Sequence, residues 1–207
     1  ADFHDHATAY LMAGLFEAHD RTAFETFAFS FGPDAPGAMR ERLRSSFDRF
    51  IDVRDYSDPA AAKLLRQSEI DIAVDLKGYT QEARLGILAH RPAPVHATYL
   101  GFPGTLGADY IDYAIVDRIV APPEHARWYS EKLVYLPDTY QCNDAKRAIS
   151  DRAISRADAG LPQTGFVFCS FCYAPKITPE MFNVWMRLLS AVEGSILWLR
   201  SDSDLVR

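Results

Sequence analysis

The chain has 207 residues, of which 48% are hydrophobic and 24% are charged, so it can bury one large core, or one core and part of a second. This composition excludes a disordered tail, a collagen and a coiled coil. The apolar runs are far shorter than the roughly 20 residues that cross a bilayer, and a net charge of −6 without a basic patch argues against a nucleic-acid partner.

Helix-like and strand-like segments alternate along the chain, which predicts an α/β fold with parallel strands. In the first third we expect a helix from near Thr8, a strand over 24–30, a helix within 37–47 and a strand over 50–53. The pair Asp58 and Pro59 predicts the N-cap and the first position of the next helix.

Apolar and other residues alternate from Ile70 to Leu76, which predicts a strand that ends at the turn of Gly78. Further strands are expected over 95–101, 113–116, 166–169 and 195–200, with Thr178 capping a helix between the last two. The polar segment 138–163 is interpreted as a connection between one lobe over 1–137 and a second over 164–207. We expect the second lobe to be unfinished, because one strand–helix–strand unit cannot cover both faces of its sheet.

Cysteine usage bears on the compartment and on metal or redox chemistry. Cys142, Cys169 and Cys172 cannot all pair internally, which favours a reducing compartment, and we expect a cytoplasmic protein. The Cys-x-x-Cys pair lacks the second pair of a zinc site, so incidental cysteines are the favoured interpretation. The acidic pair Asp202 and Asp204 is set aside as a chance pattern in a polar tail.

The first candidate site is the segment Asp2–His6, directly ahead of the first helix. An Asp-x-His pattern also opens some dinuclear metal sites, but the further ligands are not found downstream, so no metal is predicted. The helix dipole disfavours the imidazolium of His6, which keeps the ring neutral and able to accept a proton. The alternative is that His4 and His6 merely cap the helix.

Two further places could carry chemistry. The turn from Gly101 to Gly107 allows close backbone approach to a ligand and is stiffened by Pro103, although an ordinary turn is the alternative. Lys176 lies between a strand and the Thr178 helix start, where its charge could stabilise a leaving diphosphate. A solvated surface lysine is the alternative there.

Together these residues resemble the catalytic region of the O-GlcNAc transferase and Spindly family, particularly its bacterial members. The matching stretches are Asp2-Phe3-His4-Asp5-His6, Val74-Asp75-Leu76-Lys77-Gly78-Tyr79-Thr80, Arg91-Pro92-Ala93-Pro94-Val95, Tyr99-Leu100-Gly101-Phe102-Pro103-Gly104-Thr105, Tyr129-Ser130-Glu131-Lys132-Leu133, Lys176-Ile177-Thr178-Pro179 and Ile196-Leu197-Trp198-Leu199. They follow the family order across nearly the whole chain.

The resemblance implies a glycosyltransferase-B fold, in which 1–137 is a Rossmann-like catalytic lobe without its first strand and 164–207 begins a donor-binding lobe. It implies inverting, metal-independent transfer of N-acetylglucosamine from UDP-GlcNAc to protein Ser or Thr hydroxyls, with no other cofactor. His6 and Lys176 are the implied catalytic residues. Leu100, Gly101 and Pro103 are implied in donor-sugar binding, and Lys176 in diphosphate binding.

The resemblance also implies protein or peptide acceptors and upstream tetratricopeptide repeats. Ala7, Tyr173 and Pro175 depart from the common family pattern, and the resemblance implies that Tyr173 lies close to the nucleotide. A Spindly-like protein O-fucosyltransferase that uses GDP-fucose is therefore an alternative, as is a degenerate scaffold that binds a nucleotide sugar without turnover. We expect these 207 residues alone to be an incomplete, inactive enzyme.

Overall fold

The computed structural model describes residues 1–200 and divides into two compact units, one over Ala1–Ala148 and one that begins at Ile149. The boundaries expected from the sequence remain a prediction. Within residues 1–200, every helix is too short or too polar to cross a membrane.

The first unit is an α/β structure in which every strand pair is parallel, as the sequence predicts. Its elements are α1 (Ala7–Glu17), β1 (Phe27–Ser30), α2 (Ala38–Ser45), β2 (Arg49–Asp52), α3 (Asp58–Gln67), β3 (Ile72–Asp75), α4 (Gly86–Ala89), β4 (Val95–Tyr99), β5 (Tyr113–Val116), a 3₁₀ helix (Pro123–Trp128) and β6 (Lys132–Tyr135). The strands β1 and β2 form one sheet, and the order β3-β4-β5-β6 forms another. Parallel strands need crossover connections. A helix lies in the connections from β1 to β2 and from β3 to β4 and a 3₁₀ helix in that from β5 to β6, whereas the connection from β4 to β5 over 100–112 contains no helix.

The helix α1 packs into an apolar cluster of the first unit through one buried face. Its buried residues recur at helical spacing, at Ala9, Met12, Ala13 and Phe16. They form one apolar cluster with residues of α2 and β4 and with the segment after β6, among them Leu43, Tyr99 and Tyr140. This packing fixes the start of α1 against the carboxyl end of β4.

Several expected boundaries are wrong, for local reasons. The strand expected over 24–30 begins only at Phe27, because Ala23 and Phe24 donate to the Asp20 carbonyl in a turn. The N-cap of α3 is Ser57, whose hydroxyl accepts from Ala60 N, and Asp58 is already helical. The strand β6 was not predicted, since its four residues alternate only between exposed and half-buried positions.

The strand β3 shows why alternation alone does not decide which face is buried. Ile72 and Val74 are 58% and 46% exposed, whereas Ala73 between them is buried. Ala73 packs in the apolar cluster with α3 and α4, and the larger side chains that fill this cluster come from the helices, for example Leu65 and Leu88.

The second unit contains one parallel strand pair and one long helix within residues 149–200. Its elements are β7 (Val167–Ser170), a 3₁₀ turn (Ala174–Lys176), α5 (Pro179–Ala191) and β8 (Ile196–Leu199). Thr178 caps α5 by accepting from Met181 N at 3.3 Å, which confirms the expected cap. No residue of α5 is fully buried.

Candidate functional site

A tight turn follows β4 and carries three of the expected site residues, Leu100, Gly101 and Pro103. Leu100 has φ = +66°, a conformation that side chains other than glycine rarely adopt and that concentrates at functional sites. The Gly101 N–H donates to the Tyr99 carbonyl at 2.8 Å, which closes the bend. Packing of Leu100 on the α1 cluster holds this strained geometry.

The rest of the Leu100–Gly107 turn is fixed by a buried carboxylate. Glu131 is only 4% exposed, and its two oxygens accept the Thr105 hydroxyl at 2.8 Å and the Leu106 N–H at 2.7 Å. The Tyr129 hydroxyl donates to the Pro103 carbonyl at 2.7 Å. Sequence reasoning quoted Tyr129 and Glu131 only as part of a family stretch and gave them no role.

His6 is the N-cap of α1, as the capping alternative predicts. Its Nδ1 accepts from Thr8 N at 3.2 Å, and its ring is 41% exposed. A neutral ring that accepts at Nδ1 carries its proton on Nε2. The same Nδ1 lies 3.7 Å from Oδ2 of Asp2, which offers an acceptor for the other tautomer, in which Nε2 is free to take a proton.

Asp2 connects this helix start to the end of β3. Its carboxylate accepts from Lys77 Nζ at 2.9 and 3.1 Å, and both side chains are largely buried, at 12% and 9% exposure. A buried ion pair of this kind fixes the relative position of the two segments. Sequence reasoning did not identify the pair, although both residues lie in the quoted stretches.

The first unit brings His6 and the Leu100–Gly107 turn to the same edge of the sheet. A Cβ on Gly101 would lie 2.2 Å from the Leu76 carbonyl oxygen and 2.9 Å from Lys77 Cα, so the turn touches the segment that binds Asp2. The carboxyl ends of parallel strands are the usual ligand sites of α/β sheets.

Asp75, the last residue of β3, is a titratable group that sequence reasoning missed. It accepts from Gly78 N at 2.6 Å and shapes the turn in which Gly78 has φ = +56°. Burial raises the pKa of the Asp75 carboxyl, against the opposing effect of the Gly78 and Lys77 N–H groups. A carboxyl with a raised pKa beside the turn is a feature common at functional sites.

Lys176 belongs to the second unit and ends the short 3₁₀ turn that follows β7. Its side chain is exposed, and within its unit it makes no ion pair or side-chain hydrogen bond to a described residue. The first turn of α5 begins three residues later with N–H groups available to an anion. Lys176 thus lies between a strand and a helix start, as the sequence predicts, and its exposure is equally what the surface-lysine alternative predicts.

Among residues 1–200 no cluster of three or more His, Cys, Asp or Glu side chains is arranged around a common point. Cys169 and Cys172 are exposed free thiols, and Cys142 is a half-buried one. The acidic pair Asp202 and Asp204 lies outside the described residues.

Comparison with known proteins identifies the family. The model of glycosyl transferase family 41 matches residues 1–155 and 148–202. The probable UDP-N-acetylglucosamine–peptide N-acetylglucosaminyltransferase SEC of Arabidopsis thaliana is 40% identical over 204 residues, which are 96% of this chain and 21% of that protein. The corresponding SPINDLY protein of Solanum lycopersicum is 32% identical over 200 residues, 95% of this chain and 21% of the relative.

A solved structure gives the same result for the fold. A mutant of the Thermobaculum terrenum O-GlcNAc transferase is 33% identical, with a TM-score of 0.81, over 95% of this chain and 36% of that one. The match confirms the expected α/β fold of glycosyltransferase-B type and the resemblance drawn from the motifs. The chain spans about a fifth of the length of the curated relatives that it matches. By its sequence and its fold, the chain belongs to glycosyl transferase family 41.

Proposed function

We propose that the complete gene product is an inverting, metal-independent glycosyltransferase that moves N-acetylglucosamine from UDP-GlcNAc to Ser and Thr hydroxyls of proteins. The observation that carries the proposal is the common sheet edge of His6 and the Leu100–Gly107 turn, linked through Asp2 and Lys77. The 40% identity to a protein named as a UDP-N-acetylglucosamine–peptide transferase supports this donor.

In this proposal the turn after β4 binds the donor sugar. The positive φ of Leu100 and the close packing of Gly101 on Leu76 and Lys77 hold the backbone of the turn in one conformation, in which it can present polar groups to sugar hydroxyls. Pro103 stiffens the turn, so that little conformational entropy is lost when the sugar binds. Lys176, beside the first turn of α5, binds the diphosphate.

The acceptor hydroxyl attacks the anomeric carbon from the face opposite the leaving diphosphate, which inverts that carbon. The hydroxyl proton must leave, and His6 can take it at Nε2 when its Nδ1–H turns towards Asp2. While Nδ1 instead accepts from Thr8, the ring donates from Nε2 and can only orient an oxygen. Lys176 stabilises the charge that grows on the departing diphosphate.

The partners and the compartment are proposed from the family resemblance and from the cysteine usage. The acceptors are proteins or peptides, upstream tetratricopeptide repeats of the parent chain hold them, and the reaction takes place in the cytoplasm. No metal ion takes part, because Lys176 and the N–H groups of α5 supply the positive charge at the diphosphate.

A second donor, GDP-fucose, is proposed from the Spindly side of the family resemblance, although the SPINDLY protein of Solanum lycopersicum, 32% identical, is itself named as a probable UDP-N-acetylglucosamine–peptide N-acetylglucosaminyltransferase. The departures at Tyr173 and Pro175 adjoin Lys176, where the nucleotide is proposed to bind. The higher identity to the SEC protein makes UDP-GlcNAc the first donor to test.

The test incubates the complete gene product with a mixed library of Ser- and Thr-containing peptides and either UDP-GlcNAc or GDP-fucose, followed by mass spectrometry. Transfer of N-acetylhexosamine supports the proposal, and transfer of deoxyhexose alone supports the second donor. Binding of UDP-GlcNAc without any transfer would establish the scaffold alternative. Each reaction is repeated with EDTA, and activity that EDTA abolishes and Mn²⁺ restores would contradict the metal-free mechanism.

A further inference from the structure

The carboxylate of Glu131 lies behind the Leu100–Gly107 turn and is almost closed off from water. It is 4% exposed, and no Lys, Arg or His in the described part of the chain forms an ion pair with it. Burial of a carboxylate without a cation is unfavourable unless strong donors surround it. The donors here are the Thr105 hydroxyl and the Leu106 N–H, both in the turn.

The Thr105 hydroxyl extends this network through the turn. It donates to Glu131 and accepts from Gly107 N at 3.1 Å and from Ser130 N at 3.2 Å. One hydroxyl thus joins the segment ahead of β6 to the turn and to Gly107, two residues further along the turn. Because each group depends on the others, loss of the carboxylate would release the whole network.

Tyr129 makes a second, independent contact from the same segment. Its hydroxyl donates to the Pro103 carbonyl at 2.7 Å. The segment 129–131 therefore fixes the turn at Pro103, Thr105 and Leu106. Such contacts are the second layer that holds a binding site within a fraction of an ångström of its working geometry.

We propose that Glu131 is a positioning residue that sets the shape of the Leu100–Gly107 turn and thereby its fit to the sugar of the donor. The proposal rests on the function proposed above, because it takes that turn as the sugar-binding element. Glu131 does not touch the substrate and acts only through Thr105 and Leu106. Its removal therefore weakens recognition of the sugar and leaves the nucleotide contacts unchanged.

The experiment measures, in the complete gene product, the dissociation constants of UDP-GlcNAc and of UDP by calorimetry and the kcat and KM for UDP-GlcNAc. For Glu131→Ala we expect the ratio Kd(UDP-GlcNAc)/Kd(UDP) to rise at least fivefold while Kd(UDP) stays within twofold of wild type. We also expect kcat/KM to fall at least tenfold. Glu131→Gln should recover part of the loss, because its amide oxygen can still accept from Leu106 N, whereas its NH₂ cannot replace the acceptor of the Thr105 hydroxyl, whose two lone pairs already accept from Gly107 N and Ser130 N.

The matched control is Glu124→Ala, which removes an exposed glutamate from the preceding 3₁₀ helix. This variant should leave the Kd of UDP, the Kd of UDP-GlcNAc and the kcat unchanged. If Glu131→Ala does not fold, the Gln variant and Thr105→Val carry the test, and both should raise the Kd ratio at least twofold.

Two results would overturn the role of Glu131: an unchanged Kd ratio in folded variants, or equal weakening of UDP and UDP-GlcNAc, which would indicate general structural damage. The calorimetry needs no turnover. A wild type that binds both ligands but transfers no sugar therefore contradicts the proposed function, while the Kd ratio still decides on Glu131. A wild type that binds neither ligand contradicts both proposals.

Discussion

Gly101 lies so close to the Leu76 carbonyl oxygen that a Cβ on it would be 2.2 Å from that oxygen. The second neighbour, Lys77 Cα, would be 2.9 Å away, and it too belongs to the backbone. Backbone atoms cannot swing aside as the end of a side chain can, so the turn after β4 and the end of β3 require glycine at this point.

Gly101→Ala should therefore displace the turn. We expect an unfolding free energy lower by about 2 kcal/mol, as for overpacking in a tight site, and a kcat/KM for UDP-GlcNAc at least about a hundredfold lower. Urea unfolding and steady-state kinetics of the complete gene product measure the two effects. The control Gly160→Ala introduces a side chain at φ = +66° with no heavy atom within 4 Å, so it should cost about 1 kcal/mol of stability without loss of activity. Wild-type activity in Gly101→Ala would remove the turn from the proposed site.

His6 combines a cap with a proposed chemical role, and two substitutions separate them. His6→Ala removes the acceptor for Thr8 N and should destabilise the protein by about 1 kcal/mol. His6→Asn retains a capping acceptor and should keep most of that stability. Both variants should lower kcat by about 10²- to 10⁴-fold, as loss of a general base does. If His6→Asn restores turnover along with stability, His6 is only a cap.

Lys176 is the residue for which the proposal predicts the largest electrostatic effect. Lys176→Ala should lower kcat/KM by about a hundredfold, on the order of 3 kcal/mol, by analogy with the loss of one donor at a developing anion. Lys176→Arg should recover only part, because a planar fork does not replace a compact ammonium. Lys63→Ala removes an exposed lysine of α3 and serves as the control. Rates of Lys176→Ala within threefold of wild type would establish the surface-lysine alternative.

Buried His96 should make stability depend on pH. Its Nδ1–H donates to the Tyr110 carbonyl at 2.7 Å and its Nε2 accepts from Ala93 N at 3.3 Å, so the folded state holds a neutral ring. Desolvation lowers the pKa of His96 below the usual value of about 6.5. The nearby charge of Arg91 acts in the same direction, against the hydrogen bond to the Tyr110 carbonyl and the charge of Asp112.

The unfolded chain therefore binds more protons than the folded one below about pH 6.5, so stability decreases as the pH falls from that value. If unfolding takes up one proton, the unfolding free energy changes by at most about 1.4 kcal/mol per pH unit. Urea unfolding is measured at pH values from about 7.5 to about 5, on both sides of the usual histidine pKa of about 6.5. The unfolding free energy should depend less steeply on pH in His96→Gln than in the wild type. His125→Gln, at an exposed position, should leave the slope unchanged. Equal slopes in all three proteins would contradict this role of His96.

The sequence by itself determined the features that depend on neighbouring residues. Helical and strand periods predicted the parallel α/β class, and the Thr178 cap needed only the three residues that follow it. The positions of His6, the Gly101 turn and Lys176 next to helix or strand ends were also readable locally. The resemblance to the O-GlcNAc transferase and Spindly family implied that these residues take part in one glycosyl transfer reaction. The match to glycosyl transferase family 41 confirmed the family.

Only the tertiary structure decided which distant groups meet. Lys77 reaches Asp2 across 75 residues, and Glu131 reaches Leu106 across 25, so no local pattern contains either pair. The choice between Ser57 and Asp58 as a cap depended on one backbone conformation, and the exposure of Ile72 depended on which sheet face α3 covers. Contacts of this kind arise because burial brings together side chains that the sequence separates, and the free energy of that burial is a property of the whole fold.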